Sequence, residues 1–128
     1  MTTSTNVMKI VEYSALDWNF NTSENVDIGY TNLLSFNGFD VVHAKIRSNE
    51  ELKMHYHERH GGDELFCFYK GGHFKIRTKE KEVEFNTTFP VYVSFKDGEA
   101  HAIVNLSNNE LEFQAIYSPP FCPGEVKQ

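Results

Sequence analysis

Residues 54–72 read MHYHERHGGDELFCFYKGG and set three histidines, three carboxylates and four glycines around an aromatic run. His55 and His57 stand two apart, so in a strand both imidazoles share one face and the Tyr56 ring takes the other. After the polar loop ERHGGD (58–63) comes ELFCFYK (64–70), a strand apolar on both faces. The Gly71-Gly72 pair that ends it suits a tight turn requiring positive φ. Two readings compete: a polar hairpin tip on an ordinary β-protein, or side chains converging on one metal ion.

The same texture continues on both sides. KIVEYSAL (9–16), NLLSF (32–36), FDVVHAKI (39–46), LKMHYH (52–57), HFKIRT (73–78) and VEF (83–85) read as strands, as do PVYVSF (90–95), AHAIVNL (100–106) and LEFQAIY (111–117). NTSEN (21–25), NG (37–38), SNEE (48–51), KEKE (79–82), KDGE (96–99) and SNNE (107–110) separate them as turns and loops. No segment carries an apolar 3.6-residue repeat long enough for a helix. Roughly ten strands at turn spacings of about 8–12 residues predict an all-β sandwich or barrel. The predicted organisation is a flexible N-terminus (1–7), a single domain (8–118) and a Pro-containing tail (119–128) whose prolines cannot join a central strand.

At 128 residues the chain has the size of one domain that can bury a core without disulfide help. Aromatics at 14% suit the stacked layers of a β-sandwich or barrel. A net charge of −6 and a pI near 5.4 leave no basic stripe for nucleic acid, and an anionic membrane surface would repel the chain. The longest apolar run, LFCFY (65–69), is far short of a bilayer span, and MTTSTNVMKIVEYS lacks the pattern of a signal peptide. The expectation is therefore a cytoplasmic protein, with Cys67 a buried thiol and Cys122 a loop thiol.

The histidine stretch resembles the first motif of the cupin superfamily, G-x5-H-x-H-x3-4-E-x6-G. His55-Tyr56-His57 supplies H-x-H, and Glu64, LFCFYK and Gly71 supply E-x6-G. The second motif, G-x5-P-x-G-x2-H-x3-N, is matched by Gly98, His101 and Asn105 in register. Two spaced patterns in the right order are far more specific than either alone. Three departures stand out: Asn49 replaces the first glycine and can serve the same turn in the left-handed region, Lys96 replaces the proline, and six residues separate His57 from Glu64.

The resemblance implies a double-stranded β-helix, or jelly-roll barrel, holding one divalent metal ion (Fe, Mn, Ni or Zn) through His55, His57, Glu64 and His101. Asp63 and Glu58 are the competing carboxylates. Three imidazoles and one carboxylate leave two open positions on an octahedral ion, close kin to non-haem iron sites, whereas a closed structural zinc site would more often recruit cysteines. Phe66 and Phe68 share the face of Glu64 and are the candidate pocket walls. His60, in the glycine-rich loop, is the candidate catalytic base, with loop slack as its alternative. His43 is expected at the surface or rim, and His73 at a strand start.

The expected function is a mononuclear-metal enzyme acting on a small polar molecule by oxygenase, isomerase or lyase chemistry. The alternative is a non-catalytic small-ligand binder or sensor, for example of a sugar. The doubly apolar strand 64–69 needs its outer face covered, by a second sheet or a second subunit, and the cupin resemblance implies a homodimer.

Overall fold

Alternating side chains and turn residues build eleven strands and one short 3-10 turn among the described residues. The structure, a computed structural model, describes residues 10–31, 40–57, 63–118 and 126–127, with the side chains of Asp40, His57, Ser118 and Val126 outside the description. The turn Tyr13–Ala15 precedes β1 (Asp17–Asn21), β2 (Val26–Tyr30), β3 (Asp40–Ile46), β4 (Glu51–His57) and β5 (Asp63–Phe68). Then come β6 (Gly72–Thr78), β7 (Glu82–Thr87), β8 (Val91–Phe95), β9 (His101–Asn105), β10 (Leu111–Ser118) and β11 (Val126–Lys127). One sheet runs β1-β2-β3-β10-β5-β8 and the other β11-β4-β9-β6-β7. Neighbours distant in sequence, such as β3 with β10 and β4 with β9, give the crossing pattern of a jelly roll, the predicted fold.

The N-terminal third differs from the expectation. The strand read over 9–16 is instead a 3-10 turn at Tyr13–Ala15, and two strands that the sequence reading did not name, β1 and β2, follow it. DWNFN and VDIGY carry Asp, Asn and Gly, which strands disfavour, so tertiary pairing overrides local preference there. Trp18 on β1 packs flat against Gly29 on β2, where an added Cβ would stand 2.8 Å from the indole. The expected strand 32–36, the NG turn, the N-terminal segment 1–7, the prolines of the tail and Cys122 lie outside the described residues. Beyond those prolines, β11 pairs at the sheet edge with Tyr56 and His57 of β4. Among the described residues no helix is long and apolar enough to cross a membrane.

The core lies between the sheets. Leu111, Phe113, Ala115 and Tyr117 alternate inward along β10, facing Phe66 and Phe68 of β5 and Phe74 and Ile76 of β6. Phe68 stacks on Phe74 with centroids 4.3 Å apart and meets Phe113 at 4.8 Å. Burying each such ring contributes about 1.5–3 kcal/mol, so this cluster fixes the inner faces that carry the site. The hairpin from β5 to β6 turns at Gly71, φ +67°, where any Cβ would run into the carbonyl of Thr87. Asn49 takes the left-handed conformation expected of it, with φ +58°.

Two local devices position the functional residues. Leu52 pairs with Ile103 and His55 with His101, so β4 uses three steps where β9 uses two. This β-bulge flips the inward parity: Leu52 is buried, Lys53 and Met54 face out, and His55 is buried again. At the other end of β9, the Asn105 amide donates to the carbonyls of Ile46, Arg47 and Asn109, while its oxygen accepts from the backbone and hydroxyl of Ser107. The motif asparagine thus ties β9 to β3 and to the β9–β10 turn. Asn105→Ala should cost about 2–3 kcal/mol in urea unfolding, because it strands buried carbonyls without donors.

Candidate functional site

The bulge and the register of β4 on β9 place His55 directly opposite His101, with ring centroids 4.5 Å apart. Both rings are buried, at 1% and 0% exposure. Each Nδ1 lies against a backbone carbonyl two residues earlier in the chain: Lys53 O at 2.7 Å for His55 and Glu99 O at 2.9 Å for His101. A carbonyl can only accept, so each Nδ1 carries the proton, and in a neutral ring Nε2 is the nitrogen that can accept. Such Nδ1 bonds to carbonyls are the usual way that metal-binding histidines are oriented.

A carboxylate stands by each Nε2. Glu64, the second residue of β5, is buried and puts Oε1 3.9 Å from His101 Nε2. Glu24, from the turn between β1 and β2, puts Oε2 3.2 Å from His55 Nε2. Burial is the main influence on Glu24 and raises its pKa, opposed by the charge of His55. An unprotonated imidazole nitrogen and an ionised carboxylate oxygen both accept, so each pair is satisfied by a cation between or beside its members, a proton or a metal ion. Imidazole and carboxylate are donor types that divalent metals take, although these two pairs do not gather into one group of three.

The walls are aromatic and aliphatic. Phe95 stacks on the His101 ring at 4.1 Å and 11°, and Phe66 meets it edge-on at 5.4 Å. A cavity of about 20 Å³ lies beside this cluster, lined by Glu24, His55, Phe66, Phe113, Tyr117 and aliphatic side chains of the six-stranded sheet.

Of the sequence candidates, the fold brings His55, His101 and Glu64 together, with Phe66 beside them. Phe68 sits one layer deeper, stacked on Phe74 and off the cavity. The backbone of His57 ends β4, while its side chain and all of His60 and Glu58 lie outside the described residues. Asp63, the competing carboxylate, is exposed. Among the described residues no three His, Cys, Asp or Glu side chains form one group able to hold a metal ion, so the donors stand as two pairs. Glu24 escaped sequence reasoning because NTSEN reads as a solvated loop.

No family model matches the sequence, and no curated protein does. Solved structures do match. A predicted oxalate decarboxylase from Thermotoga maritima shares 19% identity, covers 87% of this chain and 99% of its own, and superposes with a TM-score of 0.71. The polyketide cyclase RemF from Streptomyces resistomycificus shares 14% identity over 95% of this chain and 85% of its own, TM-score 0.73. A cupin-superfamily sugar phosphate isomerase from Silicibacter pomeroyi shares 12% identity over 86% and 75%, TM-score 0.67. At these identities the likeness establishes the fold alone. That fold is the cupin jelly roll.

The other two described histidine side chains, of His43 and His73, lie away from the site. His73 is the second residue of β6 and pairs with Glu84 at 2.8 Å in an exposed contact. His43 is on the outer face of β3, as expected, but only 15% of its side chain is exposed because Tyr13 caps it edge-on at 5.6 Å. Burial lowers the pKa of His43 against the pull of Glu112. Burial also pushes the Glu112 carboxyl up. Hydrogen bonds from Tyr69 at 2.5 Å, from Tyr13 and from Lys70 at 3.3 Å outweigh that and hold it below the usual glutamate value. A depressed carboxylate contributes stability above its unfolded pKa and loses it as pH falls through the folded one. Glu112→Gln should therefore cost about 1–2 kcal/mol in unfolding free energy at pH 7, with the gap closing below about pH 4.

Proposed function

We propose that this chain is a metal-binding cupin that holds one divalent ion through His55, His57, Glu64 and His101 and acts on a small polar molecule. The observation that carries the reading is the buried cross-strand pair of His55 and His101, each with Nδ1 committed to a backbone carbonyl. Glu64 beside His101 supports it, as does the sequence spacing that sets His57 two residues beyond His55. When bound, the ion would polarise a carbonyl, carboxylate or enediol of the substrate, or bring O₂ beside it.

The chain's own residues supply the setting. Phe95 and Phe66 enclose His101, strengthening any charge interaction there by keeping water away. The Lys53 and Glu99 carbonyls fix the tautomer of the two imidazoles, so donor atoms face inward before anything binds. His60 is the proposed base for proton movement at the substrate.

The alternative is a small-ligand binder without chemistry of its own, for example of a sugar, and the described cavity beside His55 does not decide between the two. About 20 Å³ holds one water-sized occupant, far less than the usual ligand pocket. The homodimer belongs to the same proposal: Cys67 is buried and Leu65 half-buried on the outer face of β5, while Tyr92 opposite Cys67 is exposed. Sedimentation should give twice the chain mass if that face is shared, and a monomer would remove the dimer from the reading.

Elemental analysis of untagged protein should find about one divalent metal per chain. His55→Ala and His101→Ala should each lose most of it while keeping the β-rich circular dichroism. Unchanged metal content in both variants would refute the ligand set. After anaerobic iron reconstitution, oxygen uptake with a candidate substrate would mark the oxygenase branch; turnover without uptake would mark the isomerase or lyase branch.

A further inference from the structure

We infer that a groove at the end of the barrel opposite His55 and His101 is a binding site for a neutral saccharide, stacked on Phe89 and hydrogen-bonded by the side-chain amides of Asn86 and Asn109. The groove lies where β5 and β9 end, whereas Glu64 and His101 stand where those strands begin, so the inference does not depend on the metal reading. It measures about 860 Å³, inside the range of about 300–1,000 Å³ typical of ligand sites.

Its walls stand on the two strands that flank β6. Gly72 pairs with Thr87 of β7 on one side, and on the other Leu106 N–H donates to the carbonyl of His73 at 2.9 Å. The end of β7 and the turn after it carry Thr87, Thr88 and Phe89, and the turn from β9 to β10 carries Ser107, Asn109 and Glu110. Both walls are held in place before a ligand arrives, which lowers the cost of binding. A Cβ on Gly71 would run into the carbonyls of Thr87 and Phe89, so glycine lets the first wall pack this closely on the β5–β6 turn. Within that wall Phe89 N–H donates to Thr87 Oγ1 at 3.0 Å. The second wall is tied at Asn109 O, which accepts from the Asn105 amide at 2.7 Å and from the Ser107 hydroxyl at 2.9 Å.

The surface between the walls has the chemistry that recognises a sugar. Phe89 is 75% exposed, and its ring has no aromatic or cationic partner among the described residues. A pyranose offers such a ring one face of C–H groups, and around its rim hydroxyls that both donate and accept. The groove lines up groups of the same dual character. Among the described residues the amides of Asn86 and Asn109 and the hydroxyl of Thr88 have no hydrogen-bond partner. A protein partner would call for a broader apolar patch, and among the described lining residues Phe89 is the one large apolar side chain exposed.

Charge narrows the class further. Lys70 is paired with Glu112 at 3.3 Å and His73 with Glu84 at 2.8 Å. Glu110 adds a second carboxylate to the lining, so one lysine stands against two glutamates and the groove is net negative with His73 neutral. An acidic sugar is repelled there and a neutral one is not.

The test uses the full-length chain labelled with nitrogen-15 and three neutral trisaccharides, maltotriose, cellotriose and mannotriose, with trigalacturonate as the anionic probe. At least one neutral probe should shift the amide resonances of Thr88, Phe89 and Asn109 with a Kd of about 0.1–1 mM, leaving that of His101 in place. Phe89→Ala should weaken this binding about tenfold at an unchanged unfolding midpoint, while Phe89→Trp retains it. Asn109→Ala should weaken it severalfold, and Tyr30→Ala, which removes an exposed ring far from the groove, should change nothing. Trigalacturonate should bind more weakly than the neutral probe. The inference is overturned if no neutral probe moves the groove resonances, if Phe89→Ala binds as wild type does, or if trigalacturonate binds as tightly. It is also overturned if sedimentation shows Phe89→Ala dissociating a dimer, because the groove is then a contact between copies of the chain.

Discussion

The site depends on a single irregularity, the bulge at Lys53 and Met54 in β4. Without it, the two-residue period that buries Leu52 would bury Met54 next and send His55 to solvent. With it, His55 turns inward opposite His101. The same irregular backbone supplies the Lys53 carbonyl that accepts from the His55 ring and the Lys53 N–H that holds the turn carrying Glu24. One extra residue thus aims an imidazole, fixes its tautomer and docks a carboxylate. Bulges beside functional sites often re-aim one side chain. Here three contacts rest on the bulge.

Around that point the barrel concentrates a charge problem. Glu24, His55, Glu64 and His101 are all buried, with His101 against Phe66 and Phe95, Asn21 donating to Glu24 and each ring Nδ1 held on a backbone carbonyl. A fold does not usually bury two carboxylates and two imidazoles whose lone pairs face one another unless a cation joins them, because the solvation lost is several kcal/mol per ion. The stacked Phe68, Phe74 and Phe113 lie a layer below and make the inner faces stiff enough to hold the cluster in place. Asn105 does comparable work at the far end of β9 through backbone carbonyls alone. Two of the motif residues on that strand therefore stand in different surroundings, His101 beside Glu64 and Phe95 and Asn105 among the backbone carbonyls of the β9–β10 turn and β3.

Much of this was legible in the sequence. The strands from 40 to 118 announce themselves by alternation and by turn residues such as Gly71-Gly72 and KDGE, and the spacing of His55, Glu64 and His101 brought three buried groups to one region. β1 and β2 were not legible, since Asp, Asn and Gly hide a strand whose pairing comes from the neighbouring β3. Nor was the bulge, because nothing in Lys53-Met54 distinguishes it from ordinary strand. Glu24 was hidden for a related reason: a glutamate among Asn, Thr and Ser looks solvated until the turn folds onto β4. Parity placed Phe66 and Phe68 on one face but carries no depth, and depth is what separates the cavity wall from the core. His43 was read correctly as outer-face, while its cover by Tyr13 depends on a 3-10 turn that the sequence reading took for a strand.

The central proposal is that His55 and His101, with Nδ1 held on backbone carbonyls, offer Nε2 to a metal ion. The most direct measurement is long-range proton–nitrogen NMR of the imidazole rings in metal-free protein, before and after a stoichiometric addition of Zn²⁺. The account predicts Nδ1-protonated tautomers for both rings at neutral pH and, on addition of the ion, large shifts confined to their Nε2 resonances. Nε2-protonated rings, or resonances indifferent to the metal, would contradict it.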